Sequence, residues 1–99
     1  MCGIFFAFDP NGVDSWSFQK AVGKLRHRGP DKQQAITRGN GTVFFGHTRL
    51  RIVENTSSGD QPMISPCGRW ALMFNGEIYN YQELRREIGD YWSWCTKTD

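Results

Sequence analysis

Residues 2 to 8, Cys-Gly-Ile-Phe-Phe-Ala-Phe, are apolar or aromatic almost throughout and end at Asp9-Pro10-Asn11-Gly12, a cluster of turn residues. The run reads as a buried strand, and the remainder of the chain has to supply its partners. Asp14 or Ser15 is placed to cap a helix whose apolar positions Phe18, Ala21, Val22 and Leu25 keep helical spacing. Its cationic end, Lys24 to Arg28, suits the negative pole of the helix dipole, and Gly29-Pro30 stops it. Two short strands, Gln33 to Thr37 and Thr42 to His47, flank the turn Arg38-Gly39-Asn40-Gly41 and predict a hairpin. The segment from Thr48 to about Pro62 is irregular and rich in Ser, Asn, Gly and Asp; loops of such length are often functional. Trp70 to Phe74 predicts a further strand, broken by Asn75-Gly76. Asn80-Tyr81-Gln82-Glu83 has capping-box spacing ahead of a helix carrying Leu84 and Ile88, and Gly89 to Asp99 is aromatic and irregular.

The 99 residues suffice for one small domain at most, and 38% hydrophobic content with 14% aromatics is that of a globular chain. Net charge is +2, with Lys and Arg scattered among acids, which argues against nucleic acid as a partner. Ile4 to Phe8 is too short for a signal-peptide core and has no basic region before it. No apolar run reaches membrane length, so no membrane partner is expected and the cytoplasm is the default location. Three cysteines without CxxC spacing suggest neither a disulfide framework nor structural zinc.

Cys2 stands directly behind the initiator methionine. Methionine is trimmed when a small residue comes next, leaving a thiol and a free α-amine on one carbon, a nucleophile and its base in one residue. The amine titrates at about pH 8, near the free thiol, and so relays a proton at neutral pH. The plainer reading of Cys2 is a small buried residue opening a strand. Plain readings exist elsewhere too. Asn75-Gly76 alone is a hairpin turn, Arg49 alone a surface ion-pair residue, and Arg26-His27-Arg28 a helix-end charge patch rather than a phosphate site. His27 and His47 have no Cys or carboxylate at ligand spacing, so no metal site is expected. Cys67 and Cys95 read as bystanders, and Tyr91-Trp92-Ser93-Trp94 as packing rather than a base-stacking platform.

Four separated motifs agree in order and spacing: MCGI at the start, RHRGPD at 26–31, GHTRL at 46–50 and NGEIYNY at 75–81. Through them the chain resembles the N-terminal glutaminase domain of class II glutamine amidotransferases. HRGPD, HTRLRIVE, NGEIYNY and Asp60-Gln61-Pro62 place the resemblance nearer the asparagine synthetase branch than hexosamine-phosphate synthases or amidophosphoribosyltransferases. The resemblance implies an α/β (α+β) fold of the N-terminal-nucleophile hydrolase type, a four-layer αββα sandwich, with residues 1–99 as the N-terminal part of the amidotransferase domain. It implies hydrolysis of L-glutamine through a Cys2 thioester, feeding ammonia to an ATP-dependent amidation of aspartate. Asn75 and Gly76 match the oxyanion donors, and Arg49 the residue gripping the α-carboxylate. Leu50, Arg51, Ile52 and Val53 match the backbone floor of the pocket, while Glu77 and Asp99 match the contacts to the substrate ammonium. No cofactor is implied for this domain; ATP and magnesium belong to a C-terminal synthetase domain, whose SGGxDS motif is absent here. A homodimer of the full-length protein is the implied assembly. Alternatives are an amidotransferase of this branch with another acceptor, or a non-catalytic glutamine-binding module.

Overall fold

Strand β3 (Val43–Arg49) is the centre of a three-stranded antiparallel sheet with order β1-β3-β2, flanked by β1 (Gly3–Phe8) and β2 (Lys32–Arg38). The structure is a computed structural model that describes residues 1–52 and 57–97. Register pairs Phe5 with Gly46 and Ala35 with Gly46, so one face carries Gly3, Phe5, Ala7, Phe44, Gly46 and Thr48. Helix α1 (Ser15–Lys24) lies on that face. Asp14 is its N-cap, its carboxylate accepting from the Ser17 backbone N–H at 3.3 Å and from the Ser17 hydroxyl. These bonds hold the Asp14 carboxyl below the usual carboxylate range.

The core is an aromatic triangle closed by one aliphatic residue. Phe5, Phe18 and Phe44 have ring centroids 5.4 to 6.0 Å apart, and Phe44 and Val22 are buried. Helix and sheet approach so closely over Gly46 that a Cβ there would lie 2.1 Å from Val22 Cγ2. The helical pattern Phe18, Val22 therefore needs a glycine opposite it on β3.

Several expectations are corrected. Strand β1 alternates rather than being buried throughout: Ile4, Phe6 and Phe8 are 40%, 56% and 64% exposed on the face away from α1. Among the described residues, that face of β1 has the Phe6–Phe45 ring contact at 5.3 Å. The regular helix ends at Lys24, and residues 25–28 continue as turns before Gly29-Pro30, so Arg26 and Arg28 lie beyond the last helical turn. The hairpin between β2 and β3 forms where expected, with Asn40 at φ 54° in its turn.

After the loop, β4 (Met63–Ile64) pairs with β5 (Ala71–Leu72), a hairpin that the sequence pattern does not announce; the second arm, expected to reach Phe74, ends at Leu72. Ser65 closes this hairpin, its backbone N–H donating to the Trp70 carbonyl and its Oγ accepting from the Trp70 N–H. Helix α2 (Tyr81–Ile88) begins after Asn80, but no capping box forms. With ψ at 25°, Asn80 lacks the extended backbone that aims a cap side chain, and its carbonyl takes the Glu83 and Leu84 N–H groups instead. The aromatic stretch packs back on α2, with Arg85 over the Trp94 ring at 4.6 Å and bonded to the Thr96 carbonyl. The described residues thus form a mixed α/β arrangement with antiparallel sheets, in which α1 and the β1-β3-β2 sheet are two packed layers. No helix among the described residues is long and apolar enough to cross a membrane.

Candidate active site

The pairing of β1 with β3 decides what Cys2 meets. Gly3 lies opposite Thr48, so the residue before it falls beside the end of β3. There the Leu50 backbone N–H points at Cys2 Sγ at 3.4 Å, and the thiol lies 3.9 Å from the Leu50 carbonyl. The thiol is partly buried, whereas Met1 ahead of it is 67% exposed. Met1, His27, Arg28, Pro30 and Leu50 line an open cleft of about 310 Å³. Removing Met1 leaves the Cys2 α-amine at the rim of this cleft. The RHRGPD turn is thereby brought against the Cys2 end.

That turn also fixes the backbone next to Cys2. The Asp31 N–H donates to the Arg49 carbonyl at 3.1 Å, and the Asp31 carboxylate accepts the Arg51 N–H at 2.8 Å. One residue brackets the three-residue segment that contains Leu50. Gly29 makes the approach possible, because a Cβ there would lie 2.4 Å from the Thr48 carbonyl carbon and oxygen. His27 Nδ1 donates to the Lys24 carbonyl at 2.9 Å, which ties its ring to the end of α1.

Arg49 is buried and ion-paired. Its Nη1 lies 2.6 Å from Asp60 Oδ1, with side-chain exposures of 8% and 7%, and Arg51 Nη2 lies 3.6 Å from the same oxygen. Both guanidinium groups therefore share one carboxylate oxygen. On the same strand face, His47 is 1% exposed, with Nε2 unpartnered among the described residues. Burial first, and Arg49 second, push its pKa down, with Asp60 opposing. A folded-state pKa below the ordinary value of about 6.5 contributes stability above that pH and loses it as pH falls toward the folded value. Denaturant midpoints of the full-length protein measured from pH 7.5 downward are therefore expected to fall below about pH 6.5. His47→Phe should flatten that slope, and an unchanged slope would assign it to another group.

Asn75, Gly76 and Glu77 follow strand β5. All three are exposed, and among the described residues no hydrogen bond or ion pair joins them to Cys2 or engages the side chains of Asn75 and Glu77. The Ile52 side chain is 73% exposed. Val53 and Asp99 lie outside the described residues. The groups that sequence reasoning missed are Asp31 and Asp60, both acidic partners of the 49–51 segment; the first stood inside a motif read only for its cations. Among the described residues no cluster of three or more His, Cys, Asp or Glu could hold a metal ion.

Comparison with known proteins adds the wider context. Residues 1–99 match the family described as glutamine amidotransferase domain. Asparagine synthetase [glutamine-hydrolyzing] 1 of Saccharomyces cerevisiae is 45% identical over 94 residues, covering 92% of this chain and 16% of the relative. Asparagine synthetase B [glutamine-hydrolyzing] of Escherichia coli is 38% identical over 103 residues, covering 100% of this chain and 18% of the relative. The asparagine synthetase [glutamine-hydrolyzing] of Asparagus officinalis is 41% identical over 94 residues, covering 92% and 15%. The chain spans about a sixth of the length of these relatives.

Proposed function

Because this chain belongs to the glutamine amidotransferase domain family, we propose that it carries a glutaminase half-reaction that supplies ammonia to an ATP-dependent amidation of aspartate. The observation that carries this reading is the contact between Cys2 Sγ and the Leu50 N–H, which joins a thiol one residue from the chain start to the backbone beside Arg49. After removal of Met1, the α-amine takes the thiol proton as Sγ attacks the side-chain amide carbon of glutamine. Charge develops on the carbonyl oxygen, where the Asn75 side-chain amide and the Gly76 N–H donate. Such donors act from about 3 Å, and losing one commonly costs about 100- to 1,000-fold in rate. Neither residue is held by another polar group among the described residues, so both are available to close on the oxyanion. Collapse breaks the C–N bond, and the leaving nitrogen takes a proton from the α-ammonium and departs as ammonia. Water then cleaves the γ-glutamyl thioester, releasing glutamate and restoring the thiol.

Arg49 is assigned the α-carboxylate, because its planar fork gives two-point recognition and Asp60 holds that fork in place. Glu77 and Asp99 are assigned the substrate ammonium, so that a zwitterion is preferred to a simple amide. A synthetase domain elsewhere in the full-length protein is the proposed receiver of ammonia, in keeping with the names of the relatives.

Labelling tests the reading. Cys67 is exposed and its thiol is pushed down by the Ser65 hydroxyl, so a general alkylating agent should modify Cys67 readily. An electrophilic glutamine analogue is expected to reverse that order and label Cys2 ahead of Cys67 and Cys95, as read by peptide mapping of the full-length protein. Equal modification of all three by the analogue would overturn the assignment.

A further inference from the structure

Two consecutive residues outside the reacting set touch both ends of the site. Asp60 Oδ1 lies 2.6 Å from Arg49 Nη1 and 3.6 Å from Arg51 Nη2. The next residue, Gln61, accepts the backbone N–H of Phe74 on its Oε1 at 2.5 Å. Phe74 immediately precedes Asn75. A single peptide bond therefore joins a tie to the arginine end and a tie to the segment that carries Asn75 and Gly76. We propose that Asp60 and Gln61 form a positioning strap that sets the carboxylate clamp and the oxyanion segment relative to one another; the inference deepens the glutaminase reading and rests on it.

Each tie answers a separate physical need. Arg49 is buried, and a buried guanidinium without a counterion is strongly unfavourable, so Asp60 fixes where its fork can lie. Strand β5 ends at Leu72, so the Phe74 N–H has no strand partner in the β4–β5 ladder and Gln61 provides its acceptor. Asp60 is itself tied, its backbone N–H donating to the Ser57 carbonyl at 3.0 Å. Neither residue touches the reacting atoms. Both act through others, Asp60 through Arg49 and Gln61 through the backbone leading to Asn75, so their effects should separate between substrate binding and turnover.

The test is steady-state glutamine hydrolysis by the full-length protein, with melting temperature as the check on folding. Asp60→Asn keeps an acceptor but removes the charge, and is expected to raise KM for glutamine by about 10-fold with kcat within about 2-fold, as for loss of one charge-assisted hydrogen bond. Gln61→Met keeps length but removes the acceptor, and is expected to lower kcat by about 10-fold with little change in KM, since small misplacement of reacting groups is costly. Gln61→Glu retains an oxygen acceptor and should hold kcat. Asp60→Glu keeps the charge one methylene further out, gives a smaller rise in KM alone, and carries the test if Asp60→Asn does not fold. Parallel changes in KM and kcat for both positions, or a lower KM in Asp60→Asn, would overturn the strap while wild-type activity stands. A wild-type protein with neither glutaminase activity nor analogue labelling at Cys2 would instead overturn the glutaminase reading, and the strap with it.

Discussion

Glutamine hydrolysis is expected to fall by at least about 1,000-fold when Cys2 is replaced by Ala, because removal of an attacking nucleophile leaves only what binding and oxyanion contacts contribute. Among the described residues the thiol is engaged by the Leu50 backbone rather than by a side chain, so Ala removes the nucleophile without leaving a described partner side chain unpaired. A second change isolates the base. Retaining Met1, or acetylating the mature amine, keeps the thiol but locks its α-nitrogen in an amide, and should cost about 100- to 10,000-fold. Met1 is exposed and lines one cleft with His27, Arg28, Pro30 and Leu50. Synthesis driven by added ammonia should survive both changes in the full-length protein, since it bypasses the thiol. Substantial glutaminase activity in the unprocessed protein would place the base elsewhere, and His27 in the same cleft would be the residue to test next.

How far this site was legible depended on the range over which each signal acts. The β2–β3 hairpin was visible because Gly39-Asn40-Gly41 names its own turn, and α1 because Asp14 and the Phe18-Val22 spacing are local. The β4–β5 hairpin was not, because two-residue strands carry no periodicity and its closure depends on the Ser65 hydroxyl reaching Trp70. Asn80-Glu83 had the letters of a capping box, yet backbone dihedrals at Asn80 decide whether the bond forms, and those answer to the chain on either side. At the site, Cys2 and Arg49 were recognisable from their motifs. The ion pair with Asp60 spans an irregular segment, and nothing in spacing predicts which acid an arginine meets across such a loop. The alternating burial of β1 was likewise invisible in a run apolar at every position, since composition reports what could be covered and not what covers it.

That uncovered surface carries the last large expectation: a polypeptide of residues 1–99 on its own should associate, bind a hydrophobic dye strongly and unfold without a steep transition. Its accessible surface is 7134 Å² for a mass of 11.4 kDa, against about 5,800 Å² for a self-contained globular chain of that mass, roughly a quarter more. Val22 and Phe44 are its buried hydrophobic side chains among the described residues, whereas Ile4, Phe6 and Phe8 on β1 and Trp70 and Leu72 around β5 are exposed. Folded monomers rarely leave contiguous apolar surface beyond a few hundred Å², so a core this small set against a face this open favours self-association over a rigid monomer. Light scattering and dye fluorescence on the isolated polypeptide measure both consequences. Replacing Ile4, Phe6 and Phe8 by Thr preserves strand propensity and leaves the Phe5-Phe18-Phe44 triangle intact, so dye binding should drop several-fold while α1 stays packed on the sheet. A monomeric wild-type polypeptide with a sharp denaturant transition and no dye binding would show instead that α1 and β3 alone suffice to hold the site, and that the outer face of β1 is tolerated in water.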